Sequence, residues 1–284
     1  MPRRYIDTSL GQLHARIEGQ GPPLLLLGSA GRSASVFRRL GPLLSRQFRL
    51  IAPDLFGTGN SDPLPPGATI RSIAGAMVEL LQACGAQSAN VYGFHTGNKI
   101  AAALAANWPE RIADLVLAGQ SHSLIPSNEE RNRVIGGRTK EYFDEQGIDA
   151  TTRALRDWAI LQRRIGALWW PEGLLQESPR RTALLSQVRA EVLDELQCFE
   201  STPALYRINF AYDLAADLPR IRARTLVLEI ATPDESRHLG AQGPKVCALV
   251  PGSTLRTLQA DGFRLTLEGQ AEELAAVLLE FLGG

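Results

Sequence analysis

The residues best suited to chemistry in this 284-residue chain stand together at Gly93-Phe94-His95-Thr96-Gly97. The apolar run Ala89 to Tyr92 before them reads as a strand, and the Ala-rich run Gly97 to Asn107 after them as a helix. A strand that turns at once into a helix needs small residues on either side of the central one. The central residue is then strained, and its side chain points into the space above the sheet. Here that side chain is an imidazole. With a reference pKa near ~6.5 it is a competent base at neutral pH without an activating partner. The helix N-terminus favours its neutral, proton-accepting form, and a carboxylate within reach would stabilise the imidazolium after proton transfer. The other histidines are His14, His122 and His238. No HxxxH pair and no cysteine companion is present, so no metal site is expected. His14 and His238 are expected on solvated faces. His122, just past an apolar run, is a candidate second pocket base.

Strands and helices alternate around this turn. Leu13 to Glu18 alternates as a half-solvated strand does, while Leu24 to Leu27, between Pro22-Pro23 and Gly28, suits a strand buried on both sides. Phe48 to Ala52 and Ile112 to Ala118 read as further strands, and Ile70 to Cys84 carries an apolar stripe at helical spacing. Thr225 to Ile230 and Leu255 to Leu258 continue the strands, and Ala271 to Leu282 closes with a helix. Such alternation implies a mostly parallel sheet with helical crossovers, an α/β fold. From 121 to 216 the pattern changes to amphipathic helices without a convincing buried strand. That segment holds three of the four tryptophans, Trp158, Trp169 and Trp170, and reads as a helical cap (121–216) over a core formed by 1–120 and 217–284.

Composition narrows the function. Thirty Lys and Arg balance thirty Asp and Glu, against a nucleic-acid partner, which would call for a basic excess. The longest aliphatic block, Leu24 to Leu27, is far short of the ~20 residues of a membrane span. The N-terminal Arg3-Arg4 has no hydrophobic segment behind it, as a secretory leader would. Cys84, Cys198 and Cys247 form an odd, widely spaced set without a CxxC pair, which suits buried thiols in a reducing compartment. A cytoplasmic protein without a membrane partner is the expectation.

Four segments, in order, resemble the α/β-hydrolase fold superfamily. Gly93-Phe94-His95-Thr96-Gly97 has the spacing of its nucleophile elbow, Gly-x-Ser-x-Gly. Leu24 to Gly31 is similar to its strand and oxyanion loop. Asp54-Leu55-Phe56-Gly57-Thr58-Gly59-Asn60-Ser61 is similar to its Asp-x-x-Gly-x-Gly-x-Ser segment, and Trp108 to Ile112 to the exit from its elbow helix. The resemblance implies a helical cap after the sixth strand, backbone N–H groups of Ser29 and Thr96 lining an oxyanion hole, and an acid after Thr225 to Ile230, best matched by Asp234. It also marks the departures. His95 replaces the nucleophile, and Gly262, in Asp261-Gly262-Phe263, stands where the family's general-base histidine would be. An acyl-enzyme route needs a hydroxyl with an adjacent base, and this chain has exchanged one and lost the other.

The resemblance therefore implies a cofactor-independent enzyme acting on a small, largely apolar carbonyl compound. His95 would be its general base, oriented by Asp234 or Asp261, both on loops that the fold gathers around the elbow. Asp234 also reads as a turn or helix cap after Pro233, and Asp261 as half of a common Asp-Gly turn. Lysis, decarboxylation, isomerisation or cyclisation, and water-mediated hydrolysis all fit. Phe94 and Phe56 are expected to flank the elbow, and Trp169-Trp170 to lie over the ligand. Two alternatives stay open: a catalytically degenerate binding or interaction protein, and a hydrolase whose base has moved elsewhere.

Overall fold

The apolar block at 24–27 becomes the strand Pro23–Leu27, and its four leucines have no exposed surface, as a strand covered on both faces requires. The protein is seen here as a computed structural model that describes residues 2–119, 201–231, 240–260 and 270–283, with scattered positions between 124 and 200. Among them the strands are β1 (Arg3–Thr8), β2 (Gly11–Glu18), β3 (Pro23–Leu27), β4 (Arg49–Pro53), β5 (Ala89–Phe94), β6 (Ile112–Ala118), β7 (Arg224–Ala231) and β8 (Thr254–Gln259). The helices are α1 (Gly41–Leu44), α2 (Ile70–Ala83), α3 (Thr96–Asn107), α4 (Thr202–Ala211), α5 (Leu214–Asp217), α6 (Gly243–Leu249) and α7 (Ala271–Leu282). The strands form one sheet in the order β1-β2-β4-β3-β5-β6-β7-β8. β2 runs antiparallel to both its neighbours, and every pair from β4 onward is parallel.

Period-2 alternation divides the core. Leu25, Leu27, Ile51, Val91, Leu115 and Leu117 face α2 and α3. Leu24, Leu26, Tyr92, Phe94, Val116 and Leu228 face the other way, toward Phe37, Leu44 and the α7 leucines 274 and 278. α2 begins at a reciprocal cap: the Thr69 N–H donates to Ser72 Oγ (2.8 Å) and the Ser72 N–H to Thr69 Oγ1 (3.1 Å). Residues 96–106 of α3 are all buried. Their run of alanines lets this helix settle close against β5 and β6, bringing its first turn directly over the end of β5. Of the segment expected to form a cap, α4, most of α5 and scattered positions from 124 onward are described, and its start at 121 falls outside them.

Glu229 on β7 is a carboxylate inside this framework. It accepts from the Gly243 N–H and, at 3.4 Å, from the Gln242 N–H, at the start of α6. Burial pushes its pKa above the ordinary carboxylate value, against the opposing pull of those two amides. An acid whose folded pKa is raised stabilises the fold fully below its unfolded pKa and loses that contribution as pH rises through the folded pKa. Each unit of such a rise corresponds to about 1.4 kcal/mol. The unfolding free energy of wild type minus that of Glu229→Gln, each measured in urea from pH 4 to 8, is therefore expected to fall as pH rises.

Candidate functional site

The elbow forms where the sequence places it. β5 ends at Phe94, α3 begins at Thr96, and His95 between them has φ 52° and ψ −106°. Among the described residues it is the one non-glycine with positive φ. The flanking glycines are required by contact. A Cβ on Gly97 would overlap the Leu27 and Gly28 carbonyls, and one on Gly93 would overlap the Gly97 carbonyl. A sparsely populated backbone such as that of His95 costs of order 1–3 kcal/mol in a residue with a side chain, whereas glycine's usual entropic penalty is only about 0.5–1 kcal/mol. His95→Gly is thus expected to be roughly 1 kcal/mol more stable than His95→Ala, reversing the normal order; paired thermal melts measure it.

The imidazole is half-buried, with Nε2 shielded from solvent. The Phe94 ring meets it edge-on, with centroids 4.3 Å apart and planes at 71°. The His95 N–H donates to Ala118 O (3.2 Å), and Asn98 Nδ2 donates to the same oxygen (3.1 Å). The Gly97 N–H donates to Gly28 O (2.9 Å), so the loop after β3 is fastened to the first turn of α3, and Ser29 and Thr96 flank that bond. Both are buried. Phe94 and Phe56 belong to the packed interior, Phe94 beside the elbow ring and Phe56 among the residues facing α2, with no exposed surface on Phe56. Asp234, Asp261, His122, Trp169 and Trp170 lie outside the described residues.

His14 corrects the expectation that it is solvated. It is 1% exposed, as is Asp54, and its Nδ1 lies 2.8 Å from Asp54 Oδ2. The alternation of β2 does point His14 away from the α2 face, but the 54–61 loop folds over it and the Tyr5 ring packs at 5.3 Å. Asp54 also accepts from the Ala34 N–H (2.7 Å) and the Asn60 N–H (2.9 Å). The Asp-x-x-Gly-x-Gly-x-Ser segment is thus a clamp: one carboxylate joins β2, its own loop and the loop that carries Ser29. Gly59 is needed because a Cβ there would overlap that carboxylate.

Two further residues carry no sequence signal. Asp194, 2% exposed, accepts from Arg32 Nε (2.6 Å), the Ser33 N–H (3.1 Å), Ser35 Oγ (3.1 Å) and Ser33 Oγ. It pins residues 32–35, just beyond Ser29, to the segment that precedes α4. Lys99, buried on α3, donates from Nζ to Asn209 O (2.7 Å) on α4. In both cases the partner is more than 100 residues away, and only an amphipathic pattern marks the region. Of the cysteines, Cys84 and Cys198 are buried and Cys247 is half-buried. Burial, then the Asp194 carboxylate, push the Cys198 thiol up to about 12, which removes it as a nucleophile at neutral pH. Among the described residues no group of acidic, histidine or cysteine side chains could hold a metal ion, and no helix is long and apolar enough to cross a membrane.

An eight-stranded, mostly parallel sheet with a strained strand-to-helix turn at the C-terminal end of β5 defines a class. A profile of the alpha/beta hydrolase fold matches residues 22–166, 145 of the 284, and the chain belongs to that family. RutD of Stutzerimonas stutzeri is similar along nearly the whole length, 24% identical over 272 residues that cover 95% of each chain. A 2-hydroxymuconate semialdehyde hydrolase of a Pseudomonas species is 32% identical over 122 residues, 42% of this chain and 43% of that one. Among solved structures, a hydrolase from Pseudomonas aeruginosa superimposes with a TM-score of 0.72 at 26% identity, covering 99% of this chain and 98% of that one. The chain also matches uncharacterized proteins of Mycobacterium tuberculosis, where 102 aligned residues span 30% of their length.

Proposed function

We propose that this family member is a cofactor-independent cytoplasmic enzyme that acts on a small, largely apolar carbonyl compound through acid–base chemistry at His95, and not through a Ser-His-Asp acyl-enzyme. One observation carries the reading: an imidazole occupies the strained turn on which this fold mounts its reacting group, at φ 52° with glycines forced on both sides. The names of the hydrolases it resembles fit chemistry at a carbonyl group. In the proposed mechanism the neutral His95 ring takes a proton from a carbon beside the carbonyl, or from a water that then attacks it. Charge builds on the carbonyl oxygen, and the N–H groups of Ser29 and Thr96, the neighbours of the bonded pair Gly28 and Gly97, donate to it. Asp234 or Asp261 holds the imidazolium until its proton returns to product. Segment 121–216 serves as the cap that keeps water from the substrate, with His122, Trp169 and Trp170 shaping the pocket and Phe94 packed against the His95 ring.

A serine-directed fluorophosphonate probe tests the exclusion of the acyl-enzyme route. Wild type is expected to take no label, and so is His95→Ser, because Gly262 offers the new hydroxyl no base. Stoichiometric labelling of wild type at an internal serine would overturn the reading. Labelling of His95→Ser alone would show that another histidine already occupies the base position.

A further inference from the structure

The His95 ring rests on the backbone of the residue that follows β6. A Cβ built on Gly119 would stand 2.6 Å from His95 Cδ2, 2.9 Å from His95 Nε2 and 3.0 Å from Phe94 Cε2. These separations are well inside van der Waals contact, and the atoms met belong to two rings already packed against each other at 4.3 Å. Gly119 itself has little room to yield. Its N–H donates to Leu228 O on β7 (3.1 Å), and the preceding carbonyl, Ala118 O, accepts from both the His95 N–H and Asn98 Nδ2. Its φ of +66° would strain any residue with a Cβ. At the end of β6, Gly119 therefore presents a bare Cα to both the His95 ring and the Phe94 ring.

We propose that Gly119 is a positioning residue for His95. Its missing side chain seats the ring against the end of β6 and so sets where the base meets its substrate. The functional consequence rests on the acid–base reading above; the seat itself does not. A methyl group at 119 cannot share this space with the ring in its present pose, so the ring must shift.

The test uses the full chain labelled with 15N- and 13C-histidine, with the His95 ring signals assigned by their loss in His95→Gln. In Gly119→Ala the His95 ring resonances are expected to shift, while the ring resonances of His14 stay in place. In thermal melts Gly119→Ala is expected to lower Tm by several degrees. In a His95→Gly background at least half of that loss should disappear, because the methyl group then meets no ring and only the positive φ remains. Should Gly119→Ala fail to fold alone yet fold with His95→Gly, the seat is supported. Equal Tm losses in both backgrounds with unmoved His95 signals, or failure to fold in both, would overturn it. Moved ring signals with undiminished turnover of an identified substrate would leave the seat standing and contradict the base role of His95.

Discussion

Asp54→Ala is expected to destabilise the fold by about 3–5 kcal/mol, the range for removing one partner of a buried polar cluster. For a chain of this size that corresponds to a fall in Tm of roughly 6–20 °C. The reason lies in what the carboxylate leaves behind. Its oxygens accept from His14 Nδ1 at 2.8 Å, the Ala34 N–H at 2.7 Å and the Asn60 N–H at 2.9 Å, in a place where water does not reach. Each buried donor stranded without an acceptor costs about 1–3 kcal/mol. Asp54→Asn keeps one acceptor oxygen and should lose less. His14→Ala together with Asp54→Ala should lose less than the sum of the single losses, because the ring is no longer there to be stranded. Urea and thermal unfolding of wild type, Asp54→Ala, Asp54→Asn, His14→Ala and the double variant measure this. A loss below ~1 kcal/mol in Asp54→Ala would mean that the loops after β3 and β4 are not held by this carboxylate.

The second large effect concerns chemistry. A positioned general base contributes typically 10²–10⁴-fold to rate, so His95→Ala and His95→Gln are each expected to lower kcat/KM on an identified carbonyl substrate by about that factor. Neither variant should lose its fold. The main-chain bonds from His95 N to Ala118 O and from Gly97 N to Gly28 O remain in both variants to hold the elbow. Glutamine keeps much of the ring's size and a hydrogen-bonding end but cannot take a proton, so a loss shared by both variants points to the proton and not to shape. A ligand that still binds wild type but weakens in His95→Ala, with no turnover in either, would favour the binding-protein alternative.

The extent to which the chain could be read before its structure depended on where each residue's partners lie. The leucines of β3, the stripe of α2 and the glycines of the elbow are dictated by neighbours a few positions away, and each is found where its spacing places it. β1, Arg-Arg-Tyr-Ile-Asp-Thr, was not legible. It is an edge strand with only Ile6 buried, and an edge needs no apolar alternation. His14 sits at an outward position of β2, and nothing local shows that the loop 40 residues on will fold over it. Asp194 reads as the polar face of a helix until residues 32–35 are brought against it. Trp158, counted among the aromatics of a cap, is 55% exposed, since helical spacing says which residues share a face but not what covers that face. The strained turn at His95, by contrast, was legible, because a single motif fixes both the turn and the residue at its centre.

The pH dependence of kcat/KM in wild type and His95→Gln bears most directly on the role given to this imidazole. A ring that must be neutral to accept a proton gives wild type a limb that falls toward acid. The expected result is that His95→Gln is slower throughout and lacks that limb. A His95→Gln profile that matches wild type in height and shape would contradict the account.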